Sequence, residues 1–253
     1  MKINKVIKII KTPFFIIVCF LFFSFDIVFA AAPSTAEWKK FLDNYSGNFV
    51  FKLDSDRDSF SDDFEIEKGF SPFSTSTQRI DKIDFDKDGL NDALEIQIGS
   101  DPTEKDSDGD SFIDGEEFDN AFSPISSSSV RLSRKIIIYL KDQKMDYLID
   151  SRIWKTFSVS TGKPSMPTPV GEYKIANKIK KAWSSSYGLF MPYWMGLGRG
   201  GIGIHELPVW PNGYREGEDH LGKAVSHGCI RLGVGAAQYL YSKVDINTPV
   251  IIK

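Results

Sequence analysis

The chain has 253 residues, enough for one large domain or two smaller ones, and its formal net charge is −3. That total hides two regions of opposite sign: residues 51–120 carry 22 acidic and 7 basic side chains, and residues 131–253 carry 9 acidic and 18 basic ones. The chain as a whole is not strongly basic, and we expect no nucleic-acid partner.

The first thirty residues, 1–30, have the pattern of a secretory signal peptide. A lysine-containing start precedes an almost wholly apolar run over 13–25, and Val28-Phe29-Ala30 has the small residues of a signal-peptidase site. We expect cleavage after Ala30 and export to the periplasm or the cell wall. The alternative is an uncleaved leader that attaches the protein to a membrane.

A short helical segment is predicted next, over residues 31–50. Trp38, Phe41, Leu42 and Tyr45 recur at helical spacing and would share one face. We expect this face to pack on the segment that follows.

Three acidic loops with one common spacing lie within residues 51–125. Each has carboxylates at positions 1, 3, 5, 9 and 12, the arrangement by which a twelve-residue loop folds oxygen ligands around Ca²⁺. Carboxylates so close together repel one another without a cation, and hard oxygen ligands suit Ca²⁺ better than a transition metal. The candidate metal ligands are Asp54, Asp56, Asp58, Asp62, Glu65, Asp84, Asp86, Asp88, Asp92, Glu95, Asp106, Asp108, Asp110, Asp114 and Glu117.

These loops resemble the thrombospondin type 3 and EF-hand-like repeats of exported bacterial proteins. The resemblance implies structural Ca²⁺ and a short, rigid spacer of loops and helices. Only Asp88 is followed by the glycine that the EF-hand turn prefers, because serine stands at that place in the other two copies. The alternative is an acidic, solvated stalk without a specific ion. The serine-rich end of the region, residues 126–133, is predicted to be a linker.

Residues 134–253 change to short β-type segments separated by turns. An extended segment is expected over Val225 to Leu232, one clear helix over Val234 to Lys243, and a final strand over Thr248 to Lys253. About 120 residues of this kind predict a mainly β domain, a β-sandwich or partly open barrel with one main helix.

The segment Ser226-His227-Gly228-Cys229-Ile230-Arg231 has the residue types of a cysteine enzyme. Cys19 would leave with the leader, so that Cys229 would be an unpaired thiol in an exported protein. In an extended backbone, the two-residue period puts His227 and Cys229 on the same side. The imidazole would then take the thiol proton, and the resulting thiolate would attack a carbonyl carbon.

Several segments are similar to the signature of the L,D-transpeptidase catalytic-domain family, over about residues 134–253. They are Ile204-His205, the stretch 221–232, the upstream segments 160–163 and 167–171, and the terminal segment 248–252. The resemblance implies an L,D-transpeptidase-type β-sandwich without a catalytic cofactor. It also implies a cysteine acyltransferase of the cell wall that acts on peptidoglycan stem peptides.

The resemblance further implies a role for each residue of the motif. Cys229 would attack the amide after the third stem residue, and an amine of a second stem would resolve the thioester, which cross-links or anchors the wall. His227 would be the general base, oriented by the Ser226 carbonyl. Apart from the resemblance, an extended backbone would put Arg231 on the same side as Cys229, where it would orient the thiolate or bind a substrate carboxylate, with a structural ion pair as the alternative. The predicted catalytic residues are Cys229, His227, Ser226 and Gly228, and the predicted substrate-binding residues are His205 and Arg231.

Other functions fit parts of the same sequence. Water in place of the amine would make an L,D-carboxypeptidase with the same thioester. A non-catalytic, calcium-dependent wall-binding protein would use the repeats alone. A zinc site of His205, His220, His227 and Cys229 has suitable ligand types but matches no familiar zinc spacing. The segment 208–220 is predicted to be an enlarged lid with His220 on its surface.

Overall fold

The computed structural model describes residues 54–76, 78–198 and 200–253. The predicted signal peptide and the predicted helical segment of residues 31–50 lie outside this part of the chain. The described residues divide between two compact units, 54–114 and 115–253. No helix within the described ranges is both long and apolar enough to cross a membrane.

The unit 54–114 repeats an acidic loop followed by a short helix. Helix α1 (Asp62–Lys68) follows the first loop, α2 (Asp92–Ile98) follows the second, and α3 (Asp114–Asp119) begins at the last residue of this unit. A 3-10 turn, Ile80–Lys82, lies between the first two copies. Its Ile80 and Ala93 of α2 are buried, and the apolar residues Ile66 and Ile96 pack against them. Each helix therefore begins at the ninth residue of its loop, where an aspartate stands.

Nine strands form one mixed sheet in the unit 115–253, in the order β4-β9-β1-β2-β3-β8-β7-β6-β5. Two neighbouring pairs, β1 with β9 and β7 with β8, are parallel, and the others are antiparallel. The strands are β1 (Arg134–Tyr139), β2 (Lys144–Ile149), β3 (Arg152–Ser160), β4 (Gly171–Lys174), β5 (Asn177–Ser184), β6 (Leu189–Gly196), β7 (Gly203–Glu206), β8 (Ile230–Leu232) and β9 (Pro249–Ile252).

The mainly β architecture predicted from the sequence is confirmed, but the strands do not form the two separate sheets of a sandwich. Strand β3 is nine residues long, and it pairs with β2 over 152–158 and with β8 over 159–160. Because β3 pairs with β2 on one side and with β8 on the other, all nine strands form a single curled half-barrel sheet. The predicted helix is present as α4 (Ala236–Lys243), and its Ala237 and Leu240 are fully buried.

Residues 115–133, which include the predicted linker, belong to the same compact unit as the sheet. Phe118 is fully buried, and its ring centroid lies 5.3 Å from that of Trp154 on β3. The Asp119 carboxylate accepts hydrogen bonds from the Trp154 indole N–H at 2.7 Å and from the Tyr239 hydroxyl on α4. Lys243 forms an ion pair with the same carboxylate. These contacts attach the segment to β3 and to α4 through Phe118 and Asp119.

Candidate active site and candidate metal sites

Cys229 follows a sharp turn instead of lying within a strand. Strand β8 begins only at Ile230, and Gly228 has φ = +113°, a backbone conformation that favours glycine strongly over residues with a side chain. The predicted extended conformation of residues 225–229 is therefore wrong, apart from an isolated bridge between Ser226 and Gly162. The two-residue period of a strand consequently does not apply to His227 and Cys229.

Ser226 closes this turn with its side chain. Its hydroxyl donates to the Cys229 carbonyl at 2.6 Å and accepts from the Gly228 N–H at 3.1 Å. Its own carbonyl accepts the Lys163 N–H at 2.9 Å. The residue is 1% exposed, so the hydroxyl acts as an internal brace for the backbone that carries the nucleophile. The sequence analysis assigned a role only to the carbonyl of Ser226.

A second brace comes from Thr168, which the sequence analysis did not single out. Its hydroxyl donates to the Gly228 carbonyl at 2.9 Å and accepts from the Gly162 N–H at 2.8 Å. A Cβ atom at Gly162 would lie 2.3 Å from the Met166 carbonyl oxygen, so only glycine allows the chain to close this tightly. In the sequence, Thr168 stands between Pro167 and Pro169 in the segment 167–171 that resembles the family signature, but no individual role was predicted for it.

The Cys229 side chain is a free, partly exposed thiol. Its sulfur lies 3.8 Å from the Gly201 carbonyl oxygen, to which the S–H can donate. Burial raises the pKa of the thiol, although a hydrogen bond from the Gly203 N–H and the charge of Arg231 act in the opposite direction. A thiol with a raised pKa is protonated at neutral pH, so a base must remove its proton before it can attack.

His205 on β7 is buried and is held in one orientation. The side chain is 2% exposed, its Nδ1 lies 2.6 Å from the Glu206 carbonyl oxygen, and its ring stacks on Trp194. Because a carbonyl only accepts, Nδ1 carries the proton and Nε2 is left as an acceptor. Burial, together with the charge of Arg231, lowers the pKa of His205 to about 4. It is therefore neutral at pH 7.

The parallel pairing of β7 and β8 aligns His205 with Arg231. Cys229 immediately precedes β8, which begins at Ile230. His205 therefore lies on the strand next to the one that follows the nucleophile.

His227 has a different environment. Its side chain is exposed, and its ring stacks on that of Tyr187 with the centroids 4.8 Å apart. Partial burial, Lys163 and Arg231 lower the pKa of His227, and Glu216 opposes this shift. Within the described residues, no hydrogen bond joins either imidazole to the Cys229 thiol. His227 and Tyr187 therefore form part of the solvent-facing side of the site.

Arg231 connects the site to the predicted lid. The side chain is almost buried and forms an ion pair with Glu216 at 3.2 Å, and its guanidinium lies 3.4 Å from Nδ1 of His220. This is the structural ion pair that the sequence analysis left as an alternative for Arg231. His220, expected on the surface of the lid, instead contacts a residue beside the nucleophile.

The segment 208–220 contains a hairpin that is attached to the sheet. Val209 bridges Phe190 of β6 and also Arg215 of the returning arm, and Arg215 pairs with the buried Glu206 carboxylate. An open groove of about 690 Å³ is lined by Trp210, Pro211, Asn212, Tyr214 and Glu216. Glu216 thus belongs both to this groove and to the ion pair with Arg231.

The three acidic loops share one internal hydrogen-bond pattern. In each loop the N–H of the fifth residue donates to the carboxylates at positions 1 and 3, as Asp88 does to Asp84 and Asp86 at 3.2 and 3.1 Å. The aspartate at position 9 accepts from the N–H of the second residue, at 2.8 Å in the first loop and 2.9 Å in the other two. Carboxylate oxygens at positions 1, 3 and 5 therefore converge in every copy.

The chemistry of these loops fits a hard cation. Glu65 and Glu95, at position 12 of the first two loops, are 4% and 0% exposed. Among the described residues, Oε2 of Glu65 and both carboxylate oxygens of Glu95 have no hydrogen-bond partner. Burial, with the repulsion of neighbouring aspartates, raises the pKa of Glu65 to about 7 and that of Glu95 to about 9. In the described part of the chain, the groups with metal-ligand geometry consist of carboxylates, so no histidine or cysteine forms the alternative zinc site.

Comparison with known proteins identifies the second unit. Residues 133–252 match the profile of the family described as YkuD, L,D-transpeptidase catalytic domain. These residues form an L,D-transpeptidase catalytic domain. Such a domain implies a cysteine transpeptidase, in agreement with the free thiol of Cys229.

Curated relatives match parts of the chain. The "Probable L,D-transpeptidase 3" of Mycobacterium tuberculosis is 33% identical over 107 residues, which cover 37% of this chain and 37% of that protein. L,D-transpeptidase 1 of the same organism is 28% identical over 115 residues, 40% of this chain and 43% of that protein. The chain thus spans less than half the length of these two relatives.

Solved structures also match about half of the chain. An L,D-transpeptidase from Mycobacterium smegmatis has 21% sequence identity and a TM-score of 0.43, and the match covers 49% of this chain and 60% of that one. One from Mycobacterium tuberculosis H37Rv has 25% identity and the same TM-score, with 49% and 59% covered.

Proposed function

We propose that the protein is an exported peptidoglycan L,D-transpeptidase that acts through a thioester on Cys229. The observation that carries this proposal is the free, partly exposed thiol of Cys229, whose backbone is held by the Ser226 brace in a segment that matches an L,D-transpeptidase catalytic domain. The substrate class, stem peptides of the wall polymer, follows from the family. The net charge of +9 over residues 131–253 suits an anionic polymer.

The first half-reaction is acyl transfer to sulfur. A histidine removes the Cys229 proton, and the thiolate attacks the carbonyl carbon of the amide that joins the third stem residue to the terminal D-amino acid. A C–S bond forms and the C–N bond breaks. The histidine returns its proton to the leaving nitrogen, which departs as the amine of the D-amino acid.

The second half-reaction decides which product is made. The amine of a second stem attacks the thioester carbon, a new amide forms, and the proton lost by nitrogen restores the Cys229 thiol. Water in the same position would release a shortened stem, which is the L,D-carboxypeptidase alternative. Both outcomes use one acyl-enzyme.

The geometry favours His205 as the base for the acylation step. Its Nδ1 is held by the Glu206 carbonyl, its Nε2 is left to accept a proton, and its lowered pKa keeps it neutral. His227, to which the sequence analysis gave this role, is exposed and stacked on Tyr187. We assign His227 to the mouth of the site, where it can contact the stem or the leaving group.

Defined tetrapeptide stems test the proposed function. We expect the purified protein to release the terminal D-amino acid and to form a cross-linked peptide dimer, both identified by mass. Products consisting only of hydrolysed tripeptide would establish the carboxypeptidase instead. Undiminished cross-linking by Cys229→Ala would refute the thioester mechanism. Absence of any product from the wild-type protein would favour the non-catalytic wall-binding alternative.

We also propose that the three acidic loops bind structural Ca²⁺ and that the leader is removed on export. Converging carboxylates and buried glutamates without hydrogen-bond partners support the first part. Ca²⁺ is expected to protect residues 51–125 from proteolysis, and equal digestion with Ca²⁺ and with chelator would leave an acidic stalk. For the second part, the intact mass of the exported protein should correspond to a chain that begins at residue 31.

A further inference from the structure

Three buried carboxylates from two different repeats meet beside the second acidic loop. Asp88 and Glu95 occupy positions 5 and 12 of the second loop, whereas Asp114 occupies position 9 of the third. One oxygen of each lies within 4.8 Å of the other two. The three residues are 7%, 0% and 0% exposed, so water cannot screen the repulsion between their carboxylates.

Glu95 lacks any hydrogen-bond partner in this cluster. Neither of its carboxylate oxygens is hydrogen-bonded among the described residues, and the side chain is fully buried. A buried carboxylate that is neither paired nor coordinated is strongly unfavourable in its ionised form. A divalent cation held by Glu95, Asp88 and Asp114 together would offset that cost with the oxygen ligands that Ca²⁺ prefers.

Hydrogen bonds hold the Asp114 carboxylate in a position from which it can bind this cation. The Ser107 N–H donates to its Oδ1 at 2.9 Å, and the Ser107 hydroxyl donates to its Oδ2 at 2.5 Å. The Lys105 ammonium donates to the Lys87 carbonyl at 3.1 Å, which adds a second contact between the same two repeats. The positive charge of Lys105 partly opposes the binding of a divalent cation nearby. Its hydrogen bond to Lys87 also holds the second and third loops together.

The first and second loops do not form a matching cluster. They begin 30 residues apart, at Asp54 and Asp84, whereas the second and third begin only 22 apart, at Asp84 and Asp106. Asp92, the equivalent of Asp114, is hydrogen-bonded by the Phe85 N–H and the Ser71 hydroxyl. Among the described residues, it joins no group with ligands of the first loop. The cluster of carboxylates from two loops therefore occurs between the second and third loops, which are closer together in sequence than the first and second.

We propose that Asp114 is a ligand of the cation in the second loop, so that this site is completed by the third repeat. The inference rests on the proposed binding of Ca²⁺. Because Asp114 also begins helix α3 and closes the third loop through Ser107, a cation in the second site would order the third loop. Occupancy of these two sites would then be coupled.

Calorimetric titration of the full-length chain with Ca²⁺ tests the inference. Asp114→Asn is expected to weaken binding at the second site by about 10–100-fold, the loss typical of a disturbed metal shell. Asp62→Asn is the matched control, since Asp62 has the same position in the first loop and accepts the same two hydrogen bonds from Ser55. The control should leave the second site unchanged.

Combination with Glu95→Gln makes the result decisive. If Asp114 and Glu95 hold one cation, adding Asp114→Asn to the Glu95→Gln variant should not lower the number of bound Ca²⁺ ions any further. Adding Asp62→Asn to the same variant should still weaken Ca²⁺ binding at the first site. Equal, additive losses in both double variants would overturn the proposal. Absence of any Ca²⁺ binding by the wild-type chain would instead refute the proposed calcium function itself.

Thermal melting in chelator separates a ligand from a merely structural residue. Removal of one buried negative charge relieves repulsion, so we expect Asp114→Asn to melt no lower than wild type without Ca²⁺ and to gain less when Ca²⁺ is added. A lower melting temperature in chelator, with an unchanged gain on adding Ca²⁺, would assign Asp114 to folding alone and overturn the proposal.

Discussion

At the scale of residues, the reactivity of Cys229 depends on which imidazole takes its proton. Burial raises the pKa of the thiol, so an unassisted thiolate is scarce at neutral pH. His205 is buried and oriented by the Glu206 carbonyl, whereas His227 is exposed and stacked on Tyr187. The two environments predict different pH profiles for acylation of the enzyme.

We expect the acylation rate to stay level from pH 7 to about 5 and to fall only as the pH approaches 4. His205 accepts a proton only in its neutral form, and its pKa is lowered to about 4. His205→Gln should slow acylation by roughly 10²–10⁴-fold. The rates of adduct formation with a carbapenem, a β-lactam whose strained amide can acylate a thiolate, can be followed by mass between pH 4 and 8.

His227→Gln is the comparison variant, with a smaller expected loss and an unchanged profile. If the rate instead began to fall well above pH 4, and His227→Gln rather than His205→Gln abolished acylation, the base would be His227. The sequence motif identified both histidines, but the role of base was predicted for His227. Burial and the Glu206 hydrogen bond, which favour His205, depend on how β7 packs and cannot be read from the motif.

At the scale of elements, the turn 226–229 is held in place by a side chain that is distant in sequence, that of Thr168. Thr168 links Gly162 to Gly228 through one hydroxyl, and the residue is 3% exposed. The sequence analysis found the motif but predicted an extended strand through it. The positive φ of Gly228 interrupts the predicted strand. A backbone angle of this kind cannot be predicted from the local pattern of apolar residues.

Thr168→Val is expected to destabilise the catalytic domain by about 1–3 kcal/mol, because the buried Gly162 N–H and Gly228 carbonyl would each lose a partner. It should also slow acylation of Cys229, since the carbonyl before the nucleophile would no longer be fixed. Urea denaturation and the rate of carbapenem adduct formation measure the two effects.

Thr168→Ser, which keeps the hydroxyl, is the matched control and should retain most of the stability and rate. Equal losses in the valine and serine variants would mean that the methyl group, and not the hydrogen bonds, is what the turn requires.

At the scale of the whole molecule, the opposite charges of the two regions correspond to two kinds of structure. The acidic residues line the loops of the unit 54–114, and the unit 115–253 holds the sheet and the thiol. The mainly β class and the positions of α4 and β9 were predictable from local patterns. The joining of all strands into one sheet was not, because it depends on β3 pairing with two partners far apart in sequence.

The attachment of residues 115–133 to the sheet was also unforeseen, and Asp119 carries much of it. Burial alone would raise the pKa of Asp119, but hydrogen bonds from Lys243, Tyr239 and Trp154 outweigh burial and lower it. A carboxylate whose folded-state pKa is lowered adds stability above its ordinary pKa, and that stability is lost as the pH falls through the folded value.

Asp119→Asn is therefore expected to destabilise the unit 115–253 by about 1.5–3 kcal/mol at pH 7, as is typical of hydrogen bonds to a charged group. The difference from wild type should shrink as the pH falls below about 4, the ordinary pKa of aspartate, and should disappear only below the lowered pKa of the folded state. Denaturation curves at pH 7 and pH 3 measure it.

The exposed pair of Asp150 with Arg152 supplies the control, and Asp150→Asn should change the stability by less than about 1 kcal/mol. A loss in Asp119→Asn that is the same at both pH values would show that the charge of Asp119 does not contribute.

The central claim is that Cys229 forms a covalent acyl-enzyme, and the intact mass of the protein after incubation with a carbapenem tests it most directly. The wild-type chain should gain the mass of one carbapenem, and Cys229→Ala should gain none. An adduct of the same mass on Cys229→Ala, or a wild-type protein that stays unmodified while its thiol is still alkylated by iodoacetamide, would contradict the assignment of Cys229 as the nucleophile.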